Sequence, residues 1–215
     1  MRLKKMALYL AASLAALSLV FHFVYRPWQL TWGATDEEVA RRMVGDDIVT
    51  NPTFDATRAV TIQATPEEIW PWIIQIGYKK AGFYSWDRLD NAGIPSAERI
   101  IPEYQDLKVG DRIPLSRAEY ARVTALEPNR HMLLVFEWEE SATWAWGIYQ
   151  TGPRQSRLVT RLRVRVESAM ARLSLDAFEL IMMRKCLLGI KRRSESVARP
   201  SGLGAAANMG QPVVK

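Results

Sequence analysis

The chain offers few groups for acid–base or metal chemistry. Its two histidines are His22, inside an apolar run, and His131, which opens a strand-like segment after a turn. One histidine outside the apolar run excludes a zinc site built on two or three His, and no motif around it argues for a Ser–His–Asp arrangement. The single Cys186 excludes an intramolecular disulfide and a Cys-based zinc cluster. It sits on an apolar helical stretch, where a free thiol behaves as a small buried hydrophobe. There is no P-loop and no GxGxxG pattern. What remains is carboxylates set among aromatics. Glu137 lies between Phe136 and Trp138, while Asp87, Arg88 and Asp90 follow a Gly-aromatic turn at Gly82–Trp86. A carboxylate drawn into an apolar cavity has a raised pKa and can act as general acid or base. The same groups can equally pair on the surface. Glu137, Asp87 and His131 are therefore the catalytic candidates, with no metal and no cofactor expected.

The aromatics carry more information. Phe136 and Trp138 share one strand face, and Trp144 and Trp146 share a face of the next strand. Trp70 and Trp72 lie on a helical stripe, and Phe83, Tyr84 and Trp86 lie in the Gly-aromatic turn. If they line an interior, the cavity is flat-walled and apolar, suited to a ring-bearing or acyl ligand. If they fill the core, little cavity is left. The expected ligand-binding set is Trp70, Phe83, Tyr84, Trp86, Phe136, Trp138, Trp144 and Trp146.

These residues need a scaffold, and its pieces are legible. Val60 and Ile62 alternate with Thr61 and Gln63, which predicts a strand with one apolar face. Thr65 caps a helix with Pro66 at its first position and Glu68 three after the cap. The stripe Ile69, Trp70, Trp72, Ile73 and Ile76 follows, with a kink or early break expected at Pro71. Thr35 caps another short helix whose Asp36, Glu37 and Glu38 suit the positive helix start. Gly45-Asp46-Asp47 reads as a solvated turn. Strand-like runs at Tyr120–Leu126, His131–Trp138, Thr143–Gln150 and Arg157–Val166 are spaced closely enough for an antiparallel meander. In the last run Leu158, Thr160, Leu162, Val164 and Val166 take one face and Arg157, Arg161, Arg163 and Arg165 the other. The arginine row is most simply a solvated outer face, or a basic patch for anionic headgroups. Ser174–Ser196 predicts a long helix with Leu175, Phe178, Glu179, Met182, Cys186, Leu187 and Ile190 on a mostly apolar face.

The order of these pieces resembles the SRPBCC superfamily, the START/Bet v 1/polyketide-cyclase-like helix-grip proteins. The residues that carry the resemblance are WGATDEEV (Trp32–Val39), GDD (Gly45–Asp47), ATPEEIWPWIIQIG (Ala64–Gly77), GFYSWDRLDN (Gly82–Asn91), DLKVGDRIPL (Asp106–Leu115) and LLGIKRR (Leu187–Arg193). It implies an α+β fold, a curved antiparallel sheet gripping a long C-terminal helix with a cavity between them. It implies no shared reaction, because one fold hosts many functions.

Ahead of the domain, Met6–Tyr25 is an apolar run without formal charge when His22 is neutral. As a helix it spans about 30 Å, the thickness of a bilayer core. Arg2, Lys4 and Lys5 precede it, and Tyr25, Trp28 and Trp32 lie where an interfacial belt would sit. A cleaved signal peptide has a similar charged start but a shorter apolar centre and a small-residue cleavage site. The expected organisation is a basic N-terminus at 1–5, a transmembrane helix at 6–25, a connector at 26–54, the helix-grip domain at 55–197 and a disordered tail at 198–215. The basic flank places the N-terminus in the cytoplasm and the domain outside it, in the periplasm of a Gram-negative source. The net charge of +6 is spread along the chain without a nucleic-acid motif, so nucleic acid is not an expected partner. The expected function is membrane-anchored binding of a hydrophobic small molecule or lipid. The alternatives are a cyclase- or dehydratase-like enzyme acting on an apolar substrate, and an anchored interaction module using the arginine face.

Overall fold

The computed structural model describes residues 2–137 and 142–197. Trp138 and the 198–215 tail therefore lie outside the described residues. A helix, α1 (Arg2–Val20), runs through a π turn at Phe21–Tyr25 into α2 (Arg26–Leu30). Among the described residues it is the one helix long and apolar enough to cross a membrane, from Lys4 to Leu30, and none of its most apolar stretch is buried.

The short helix α3 (Asp36–Ala40) opens on a capping box. The Thr35 amide donates to Glu38 Oε2 at 2.9 Å and the Glu38 amide to Thr35 Oγ1 at 3.2 Å. Strand β1 (Phe54–Ile62) leads to a second box at Thr65 and Glu68, which opens α4 (Pro66–Ile74). Pro71 does not end α4. The amide hydrogen it lacks would have met the carbonyl of Glu67, an exposed first-turn residue whose oxygen water can satisfy. After α5 (Asp87–Asp90) come β2 (Arg112–Pro114), β3 (Tyr120–Glu127), β4 (His131–Phe136), β5 (Ala142–Gly152) and β6 (Gln155–Val164). The six strands form one antiparallel sheet in the order β1-β6-β5-β4-β3-β2.

The C-terminal helix begins earlier than Ser174. Ser168 caps α6 (Ala169–Ser174), a π turn follows at Leu175–Glu179, and α7 (Leu180–Val197) completes it. α7 packs on α4 and β1, burying Leu180, Met183, Cys186, Leu187 and Ile190. Fully burying each Leu or Ile contributes about 1.5–3 kcal/mol. This is an α+β helix-grip architecture. The Gly-aromatic turn locks onto α7 at Gly189, where a Cβ would lie 2.4 Å from the Tyr84 carbonyl and 2.7 Å from Tyr84 Cβ. Gly189→Ala is therefore expected to push that turn off the helix and cost about 1–3 kcal/mol as overpacking, read as a lowered Tm.

The structure corrects the expectation for the arginine row. The connector folds over the outer face of the sheet, where Met43 packs with Ala59, Leu133, Ala145 and Val159. Arg157 pairs with Glu38 at 2.6 Å, and Arg161 with Asp46 at 2.6 Å. Arg161 also donates to Thr57 Oγ1 and to the carbonyls of Arg41, Glu38 and Val39. Arg163 donates to the Asp46 carbonyl at 2.6 Å and lies 3.3 Å from Asp55. Only Arg165 of the four is exposed. The Gly45-Asp46-Asp47 turn is thus an ion-paired clamp rather than a solvated turn, and the row is no open patch for headgroups or partners. Burial pushes the Glu38 carboxyl up, but Arg157 and the Thr35 amide outweigh it and hold it below its usual range.

Candidate binding cavity and its buried ion pair

Inward-facing residues of the sheet and the inner side of the C-terminal helix line two adjoining, open-sided chambers. The inner one, about 230 Å³, is lined by Phe83, Ser85, Asp90, Leu115, Phe136, Trp144, Leu162, Glu179, Met182, Met183 and Cys186. The outer one, about 630 Å³, is lined by Ala142, Val164, Val166, Ala171, Ser174, Leu175 and Phe178. Phe136, Leu162, Glu179 and Met182 belong to both walls, so the chambers share a boundary.

The polar feature of this boundary is Glu179. Its side chain is 12% exposed and pairs with Arg58, whose side chain is 1% exposed. Arg58 also donates to the Gln29 carbonyl at 2.9 Å and to Gln29 Oε1 at 2.8 Å. Gln29 Nε2 in turn donates to Asp176 at 3.1 Å, and Arg26 Nε meets the same carboxylate at 3.0 Å. One polar cluster thus joins the foot of the N-terminal helix, the edge strand and the π turn. Burial pushes the Glu179 carboxyl up and the Arg58 guanidinium down, with each partner pulling the other back. Glu179 Oε1 has no hydrogen-bond partner among the described residues. Asp90, which also lines the inner chamber, is raised by burial and by the nearby Asp87. Its Oδ1 is also buried without a hydrogen-bond partner among the described residues. Cys186, in the same wall, has its thiol pushed well above the usual range by burial.

The sequence candidates divide sharply. Phe83, Phe136 and Trp144 are in the cavity wall, and the Trp144 indole is fixed by donating to Thr160 Oγ1 at 2.7 Å. Trp70, Tyr84 and Trp146 are buried in the packed core and lie outside these two linings. The Tyr84 hydroxyl donates to the Trp72 carbonyl, and burial raises its pKa. Trp86 is 46% exposed beneath the Lys185 ammonium, a surface cation–π contact.

The catalytic candidates are elsewhere. Glu137 accepts from Arg112 and Arg122, because alternation turns it outward where Phe136 turns in. His131 lies 3.4 Å from Glu127, remote from the cavity wall. Asp87 accepts from Ser96 Oγ at 2.5 Å outside the chambers. No three His, Cys, Asp or Glu among the described residues gather as a metal site. Of the carboxylates singled out in the sequence, Asp90 does line the inner chamber; Glu179, and Arg58 paired behind it, were missed as candidates. Both break a pattern: Glu179 interrupts an apolar helix face, and Arg58 is in phase with the inward Val60 and Ile62.

Comparison with known proteins adds fold neighbours and little else. No family model matches the sequence, and no curated protein matches it. Similar solved structures include a polyketide-cyclase-like protein of Corynebacterium glutamicum, at 14% identity and a TM-score of 0.38, covering 67% of this chain and 93% of that one. The self-sacrificing resistance protein CalC of Micromonospora echinospora is 8% identical with a TM-score of 0.46, covering 66% and 95%. A Thermobifida fusca protein is 9% identical with a TM-score of 0.47, covering 66% and 94%. The six-stranded antiparallel sheet and closing helix described above form a helix-grip fold, and likeness at these levels transfers no function.

Proposed function

We propose that the protein is a membrane-anchored binding protein for an apolar small molecule or lipid, held in the cavity and oriented by Glu179. The observation that supports this reading most directly is the pair of chambers whose walls are rich in Phe, Trp, Leu, Val and Met, with Glu179, paired to Arg58 behind it, as the polar feature at their boundary. Apolar walls with a few placed polar groups are the usual build of a small-molecule site. The long apolar N-terminal helix supports the anchor, and its basic flank supports a domain outside the cytoplasm. Full-length protein in detergent, titrated with a fluorescent acyl probe, is expected to bind it with quenching of Trp144. Met182→Trp, which fills the boundary between the chambers, is expected to weaken binding by about tenfold or more, equivalent to about 1.4 kcal/mol. Wild-type protein that takes up no apolar probe rules the reading out.

A second reading, acid–base chemistry of cyclase or dehydratase type on an apolar substrate, is favoured by one observation. Two carboxyls with raised pKa, Glu179 and Asp90, line the same chamber. Native mass spectrometry of the extracted protein separates the readings. A retained ligand whose mass is unchanged on incubation supports binding, whereas a mass change that Glu179→Gln abolishes supports catalysis.

A further inference from the structure

The exposed apolar residues of the C-terminal helix are concentrated in its first turns. Met170 is 74% exposed, Leu173 55%, Phe178 66% and Ile181 49%. A water-soluble domain has no use for such a row, and no described element covers it. Its position explains it. Asp176, buried on the domain side between Leu173 and Phe178 in sequence, is the residue that holds Arg26 and Gln29. Arg26 directly follows Tyr25, the last residue of the apolar run. At about 1.5 Å rise per residue, each of the four side chains sits within about 9 Å of Asp176 along the helix axis. A helix lying in a membrane interface buries its apolar face by about 5–10 Å.

Taking the anchored reading of the N-terminal helix as given, we propose that the first turns of the C-terminal helix, from Ala169 to Ile181, lie in the headgroup layer of the same bilayer. The outer chamber then opens onto lipid and takes its ligand laterally from the membrane. The wall of that chamber supports this: Ala171, Ser174, Leu175 and Phe178 are contributed by the very segment that carries the row. The sheet gives the matching orientation. Its end at Thr53 and Val164 is tied to Arg26, while the β5–β6 turn lies at the other end. From Val164 back to Ser156 is about 26 Å of strand, so that turn stands clear of the headgroups.

The test uses the full chain reconstituted into vesicles of phosphatidylcholine with a minority of phosphatidylglycerol. In a Cys186→Ala background, Leu173→Cys, Phe178→Cys and Pro153→Cys each carry an environment-sensitive fluorophore, and doxyl lipids serve as the quencher. Met170→Cys replaces either helix variant if it fails to fold. Labels at 173 and 178 are expected to shift to the blue and to be quenched about twofold or more above the label at 153, the contrast between an interfacial helix and a distal turn. Equal quenching at all positions in protein that co-floats with vesicles overturns the proposal and leaves the anchored reading standing. Protein that does not co-float overturns both.

Discussion

Arg161→Ala is expected to lower the unfolding free energy by up to about 3–5 kcal/mol, because it strips the nearest cation from Asp46 and leaves it Arg163 at 3.4 Å. The Arg161 side chain is 6% exposed, and Asp46 opposite is 15% exposed. The guanidinium also holds three connector carbonyls and Thr57 Oγ1, so with Asp46 its loss strands five acceptors under a layer that water enters poorly. Arg161→Met, which keeps much of the volume but no donor, is expected to be nearly as damaging. Arg122→Ala, at a side chain 54% exposed, is expected to cost less than about 1 kcal/mol. Urea midpoints of the detergent-solubilised chain read the difference. Equal midpoints for Arg161→Ala and Arg122→Ala contradict the clamp.

Arg58→Met is expected to be the second severe variant and to give stability a new pH dependence. It leaves Glu179 with burial and no cation. The sign follows from the direction of the shift. A carboxyl raised in the folded state contributes most below its unfolded pKa, and that contribution is lost as pH rises through the folded pKa. In the wild type Arg58 limits the loss. Without it the loss is larger and extends to higher pH. Melting at about pH 5 and about pH 8 is expected to diverge far more in the variant than in the wild type. Adding Glu179→Gln is expected to flatten the profile again. An Arg58→Met profile parallel to the wild type shows that Glu179 is not the buried titrating group.

Much of this scaffold was legible because local rules decided it. Both capping boxes, at Thr35/Glu38 and Thr65/Glu68, form as their spacing requires. The alternation in Arg157–Val166 correctly separates inward Leu158 and Leu162 from outward Arg161 and Arg163. Alternation cannot say what covers the outward side. The cover is the connector, whose Glu38 and Asp46 looked like ordinary surface acids. The binding cavity was harder still. Phe136 and Trp144 are cavity wall and Trp146 is core, although Trp144 and Trp146 share one strand face; which of them meets a void depends on where α7 crosses. The Arg58–Glu179 pair joins the first strand to the last helix, and periodicity within either element sees half of it.

The cluster at Arg26, Gln29, Arg58 and Asp176 leaves no linker between helix and domain. A flexible tether would hold the chamber at an average distance from the lipid, with an effective concentration falling as the tether lengthens. A joint of zero length fixes that concentration as a property of the fold. In the proposed orientation the chamber meets one leaflet continuously. It has no reach with which to swing toward a second membrane or to present its mouth to the surrounding water.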